Sequence, residues 1–109
     1  MSSLLDAAVV EHAVLHVDPA ASAAFTAAMR EAMPIIAAAD GFAGARLLQV
    51  SETPGRYVLL VGWVSQSAHT DGFRTSAGYQ RWRELLHGFY VTTPPLVEHA
   101  VVVAGAEGP

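Results

Sequence analysis

A chain of 109 residues has the size of one domain, and its 52 % apolar and 15 % charged residues leave it well short of the about 25 % charge usual in soluble domains. The net charge is −4, lysine is absent and the six arginines are scattered from Arg30 to Arg83. No basic patch exists to neutralise phosphates, which argues against nucleic-acid binding, and the absence of cysteine excludes disulfides, thiolate metal sites and a cysteine nucleophile.

The opening MSSLLDAAVVEHAV lacks the basic region of a signal peptide, and no apolar run approaches the ~20 residues of a membrane helix. The expectation is therefore a cytoplasmic protein with one domain over residues 1–109 and a core from about 9 to 103. Val9 to Val17 (VVEHAVLHV) reads as a first strand, closed by Asp18-Pro19, an N-cap followed by proline at the first helical position. The helix that follows carries Phe25, Ala28, Met29, Ala32, Met33 and Ile36 on one stripe. Pro34 is expected to kink or split it near Arg30, and Asp40-Gly41-Phe42 to end it.

Ala43 to Glu52 and Arg56 to Ser65 read as two strands around the turn Thr53-Pro54-Gly55. Ser65 or Ser67 caps a short helix reaching about Arg74, and Ser76 caps another, Ala77 to His87. That second helix buries Tyr79, Trp82, Leu85 and Leu86 and stops at Gly88. Pro94-Pro95 leads into a last strand, Leu96 to Val103, and the tail AGAEGP frays. The order β-α-β-β-α-β is that of an α+β, ferredoxin-like fold with a four-stranded antiparallel sheet. Val10-Glu11-His12-Ala13-Val14 recurs as Val97-Glu98-His99-Ala100-Val101, which points to similar environments for the outer two elements of that order.

The third strand is apolar on both faces: Tyr57, Leu59, Val61 and Trp63 point one way, Val58, Leu60, Gly62 and Val64 the other. A half-solvated antiparallel strand alternates apolar with polar residues, so this one is covered twice. The chain's own helices cover one side, and a second copy of the chain, in a homodimer, is the expected cover for the other.

The path Trp63 to His69 (WVSQSAH), then Phe73-Arg74-Thr75-Ser76, then a helix with Trp82-Arg83, then Pro95-x-x-Glu98-His99 resembles the antibiotic biosynthesis monooxygenase family over about Val9 to Val103. The resemblance implies a dimeric α+β barrel, with a cavity between sheet and helices in each subunit. Its characterised relatives include oxygenases that oxidise polyketide phenols with O₂ and no metal or flavin, haem-degrading oxygenases and quinol monooxygenases. In the cofactor-free oxygenases an asparagine lies four residues before the strand-end tryptophan, the place of Leu59 here. A tyrosine of the next short helix falls at His69, and an arginine of the helix after it is matched by Arg83. In the haem-degrading relatives a first-strand asparagine falls near His12 and the iron-ligating histidine at or near Arg83. Arginine cannot ligate iron, which disfavours haem chemistry.

The expectation is thus an oxygenase without cofactor or metal, acting on an aromatic phenol or quinol. The alternative is a non-catalytic small-ligand-binding or regulatory dimer of the same fold. Such an oxygenase must take a proton, hold the anion and exclude water. Histidine suits the first task and arginine the second. The candidate catalytic residues are therefore His69, His12 and Arg83, and the candidate substrate wall is Trp63, Leu59 and Tyr79. His12 and His16 lie about 13 Å apart on one strand face, too far to share a metal. His12 and His99 come within about 5 Å only if they are directly opposite on paired strands.

Overall fold

The computed structural model describes residues 4–109. Met1–Ser3, the start of the segment read above as lacking a leader's basic region, lie outside the described residues. Four strands, β1 (Val9–His16), β2 (Phe42–Gln49), β3 (Arg56–Trp63) and β4 (Leu96–Ala100), form one antiparallel sheet in the order β2-β3-β1-β4. Two helices, α1 (Ser22–Ala37) and α2 (Ala77–Leu86), pack against each other. This is the α+β, ferredoxin-like arrangement expected from the element order. Among the described residues no helix is long and apolar enough to cross a membrane.

Strand alternation sorts the chemistry. In β1 the residues Glu11, Ala13 and Leu15 are buried toward the helices, while Val10, His12, Val14 and His16 alternate with them on the outer face. In β3 Tyr57, Leu59, Val61 and Trp63 are all at most 4 % exposed, and Val58 and Leu60 are only partly covered on the outer side. The doubly apolar strand thus has its own helices on one face and an incompletely covered apolar surface on the other. Over Gly62 the outer face meets Leu4 and Ala7, leaving no room for a Cβ.

The helix α1 presents Phe25, Met29, Ala32 and Ile36 to the sheet, every one at most 2 % exposed. Pro34 does not split it. The residue lies in the last helical turn and is exposed, so the carbonyl it leaves without an N–H partner faces water rather than the core. Before α1, Pro19–Ala21 forms a 3₁₀ turn whose Asp18 side chain accepts from the Ala20 N–H at 2.9 Å.

Several boundaries differ from the sequence reading, among them the end of β3, which stops at Trp63 and leaves Val64 exposed beyond it. β2 ends at Gln49, because the turn closes early through Val50 N–H to the Arg56 carbonyl at 2.9 Å. β4 ends at Ala100, which already opposes Val10 near the start of β1, and Val101–Val103 are exposed beyond it. The short helix after β3 is a π-helical turn (Ala68–Gly72) followed by a 3₁₀ turn (Phe73–Thr75), begun by the Ser65 hydroxyl accepting from the Ala68 N–H. After α2 the chain returns along β1: Val91 N–H bonds the His16 carbonyl and Tyr90 bridges Val17.

Candidate active site

The register of β1 with β4 places Glu11 opposite His99 and His12 opposite Glu98. The repeated Val-Glu-His-Ala-Val segments therefore run in opposite phase. Glu11 and His99 share the helix-facing side, and His12 and Glu98 the outer side, so their environments are reciprocal rather than similar. β3 pairs with β1 on its other edge, and its last residue, Trp63, lies within reach of Glu11.

These residues build one polar cluster. The Trp63 indole N–H donates to Glu11 Oε1 at 3.0 Å. His69 comes down from the π-helical turn and sets its Nε2 3.3 Å from the same oxygen. The other ring nitrogen of His69, Nδ1, lies 2.9 Å from His99 Nε2. Trp63 also stacks on the His69 ring, centroids 5.4 Å apart and planes 15° from parallel, and is held from the other directions by Phe42 and Phe73. The indole therefore fixes both the carboxylate and the imidazole.

Burial governs the protonation of this cluster. Removal from water pushes the His69 imidazole down to about 4, and the Arg74 guanidinium and His99 act in the same direction. Burial raises the Glu11 carboxyl, against the Trp63 hydrogen bond and the Arg74 charge. His99 is lowered as well, by burial and by Arg74. Near neutrality His69 is a neutral imidazole, and toward an ionised Glu11, which only accepts, it can present Nε2–H. Among the described residues no group of three or more His, Asp or Glu is placed to hold a metal ion. Glu11, His69 and His99 run in a line through both nitrogens of the central ring and do not converge on a point.

Glu11 and His69 open into a cleft of about 780 Å³ between sheet and helices. Leu15, Leu59, Ile36, Phe73, Trp82 and Val97 give it mainly apolar walls, and Arg74 stands at its edge. Tyr79, His87, Tyr90 and Thr92 also line it. Burial, with Tyr79 and Glu11, raises the Tyr90 phenol, which stays a neutral donor. Burial and the Arg83 charge lower His87.

Of the residues singled out from sequence, the structure brings His69, Leu59 and Tyr79 to this cleft. Trp63 is fully buried behind its wall rather than lining it, and acts on the cleft through Glu11 and His69. His12 does not enter the cleft: side chains alternate along β1, and its position faces the outer side of the sheet. Arg83 is exposed on α2 and reaches the cleft only through its field at His87. Glu11 escaped the sequence reading, although it is in phase with Ala13, Leu15 and Val17 on the buried face of β1. A carboxylate in step with inward apolar residues was the signal.

The description "antibiotic biosynthesis monooxygenase" fits the sequence profile matched by residues 8–85. The chain belongs to that family. The Bacillus subtilis (strain 168) protein YczJ, itself uncharacterized, is 43 % identical over 89 residues, covering 82 % of this chain and 93 % of YczJ. A solved structure from Bordetella bronchiseptica, assigned to the antibiotic biosynthesis monooxygenases, superposes with a TM-score of 0.84 at 35 % identity. That match covers 88 % of this chain and 97 % of the other. SnoaB of Streptomyces nogalater, a cofactor-independent oxygenase solved as a point mutant, matches with a TM-score of 0.60 over 93 % of this chain and 94 % of its own. At 20 % identity that likeness is one of fold.

Proposed function

We propose that this family member is a cofactor-independent monooxygenase that oxidises an aromatic phenol or quinol with O₂, working as a homodimer. The observation that carries this reading is the Glu11–His69 pair, buried and 3.3 Å apart, opening into a mainly apolar cleft of about 780 Å³. Family membership supports the reaction class, and the cleft's aromatic and aliphatic walls suit a flat apolar substrate.

In such a reaction the substrate supplies every electron. A phenol gives its proton to Glu11, and the phenolate passes one electron to O₂. The carbon radical and superoxide then combine, and the peroxide, protonated, collapses to a quinone and water. Phenol plus O₂ gives quinone plus water, so atoms and electrons balance without an external reductant. A raised carboxyl is a better match for a phenol near pKa 10 than an ordinary glutamate is. His69, neutral, orients Glu11 and donates to it, and Arg74 is the cation whose field reaches the pair as the anion forms. The apolar walls keep water from the radical pair.

Oxygen uptake with anthrone-type and hydroquinone substrates tests this. Wild-type protein is expected to consume O₂, and Glu11→Gln to lower kcat by about 10²–10⁴-fold, the usual worth of a positioned base, while still binding substrate. Saturable binding of the same compounds without oxygen uptake would establish the ligand-binding dimer instead, a reading that the apolar Leu59 favours.

A further inference from the structure

We propose that His99 is the solvent port of a proton relay, His99–His69–Glu11, which exchanges protons between the buried carboxylate and bulk water while the cleft is full. The inference rests on the acid–base role given to Glu11 above, and it adds the route by which that residue is reset.

The geometry is a chain with one buried end and one wet end. Glu11 and His69 are 6 % and 3 % exposed, and the open side they share is the cleft. A substrate filling the cleft closes that side. On the other side His69 Nδ1 lies 2.9 Å from His99 Nε2, and His99 is not part of the cleft lining. His99 sits on β4, the edge strand, and is only partly buried. Among the described residues its Nδ1 has no protein partner, yet no buried side-chain nitrogen or oxygen is left without one. That atom therefore reaches solvent. Both nitrogens of His69 and one of His99 have a partner within 3.3 Å along the line, and the remaining ring nitrogen lies at its wet end.

Each hop conserves one proton. With Glu11 ionised, the donors point inward: His99 Nε2–H to His69 Nδ1, and His69 Nε2–H to Glu11 Oε1. A proton arriving from water on His99 Nδ1 moves each of those hydrogens one step, leaving Glu11 protonated and both imidazoles neutral in their other tautomers. The reverse hops discharge Glu11 to water. A residue that merely propped His69 would need a hydrogen bond but no second ionisable nitrogen, and glutamine or asparagine would serve.

Two measurements decide it. With the cleft filled by a saturating hydroquinone under nitrogen, solvent exchange of the His69 ring N–H, followed by NMR on ¹⁵N-histidine-labelled samples, is expected to slow at least about tenfold in His99→Gln, since the amide bonds His69 but cannot pass a proton. Unchanged or faster exchange overturns the relay, and this readout stands whether or not the protein is an oxygenase. In turnover, His99→Ala is expected to lose kcat with KM little changed and to regain it with added imidazole, whereas Glu11→Gln is not rescued. Full activity in His99→Ala, or a loss that imidazole does not restore, overturns it equally.

Discussion

His69 shows how a single side chain couples site chemistry to stability. Its folded state holds the ring neutral down to about pH 4, whereas the unfolded chain takes a proton near 6.5. Between those values the unfolded state binds more protons than the folded one, so acidification through this window destabilises the fold. Glu11 works in the opposite sense. Its raised carboxyl keeps a proton that the unfolded chain releases, so its contribution is present at low pH and is lost as pH rises through the raised value. Replacing His69 by glutamine removes the first effect alone. The stability difference between wild type and His69→Gln is expected to shrink as pH falls from about 6.5 to 4, measured by urea denaturation across that range. A difference that holds constant or widens means the ring is charged in the folded protein.

At the scale of elements, the strands do the sorting. β1 alternates so regularly that its buried face could be read from Ala13, Leu15 and Val17, and Glu11 falls in the same phase. What the sequence left open was the partner. His99 sits in the same five-residue pattern as His12, and only the antiparallel register makes it the neighbour of Glu11. His69 was legible as a polar residue just past β3, but its contacts depend on a π-helical turn that no periodicity signals. The turn before β3 was legible for a physical reason that can be tested. Gly55 has φ +83°, its carbonyl accepts from Val17 N–H at 2.8 Å, and an added Cβ would run into the Val17 carbonyl oxygen. Gly55→Ala is expected to cost about 1–3 kcal/mol in chemical denaturation, combining a left-handed backbone with that clash. A neutral result would mean that the turn shifts freely away from β1.

For the whole molecule, the open question raised by β3 is what covers its second face. Val10, Val14, Val58 and Leu60 lie together on the outer side of the sheet, with Leu48 and Leu96 exposed beside them at 46 % and 60 %. Contiguous apolar surface on a sheet face marks an interface, and such a face can meet the same face of a second copy under two-fold symmetry. The polar members of the same face are His12 opposite Glu98, Arg46 opposite Leu60 and, at the end of the β1–β3 pair, His16 opposite Arg56. This surface supports the proposed homodimer, which would leave the two clefts on its outer sides. Leu60→Glu places a charge at the centre of that surface without touching the core, because Leu60 points away from the helices. Light scattering at micromolar concentration is expected to show a dimer for wild type and a folded monomer for Leu60→Glu, since burying an unpaired carboxylate costs far more than the apolar contact it replaces. A wild-type monomer under those conditions would leave the sheet face open to water and remove the homodimer from the proposal, while Glu11, His69 and the cleft, all contained within one chain, would stand unchanged.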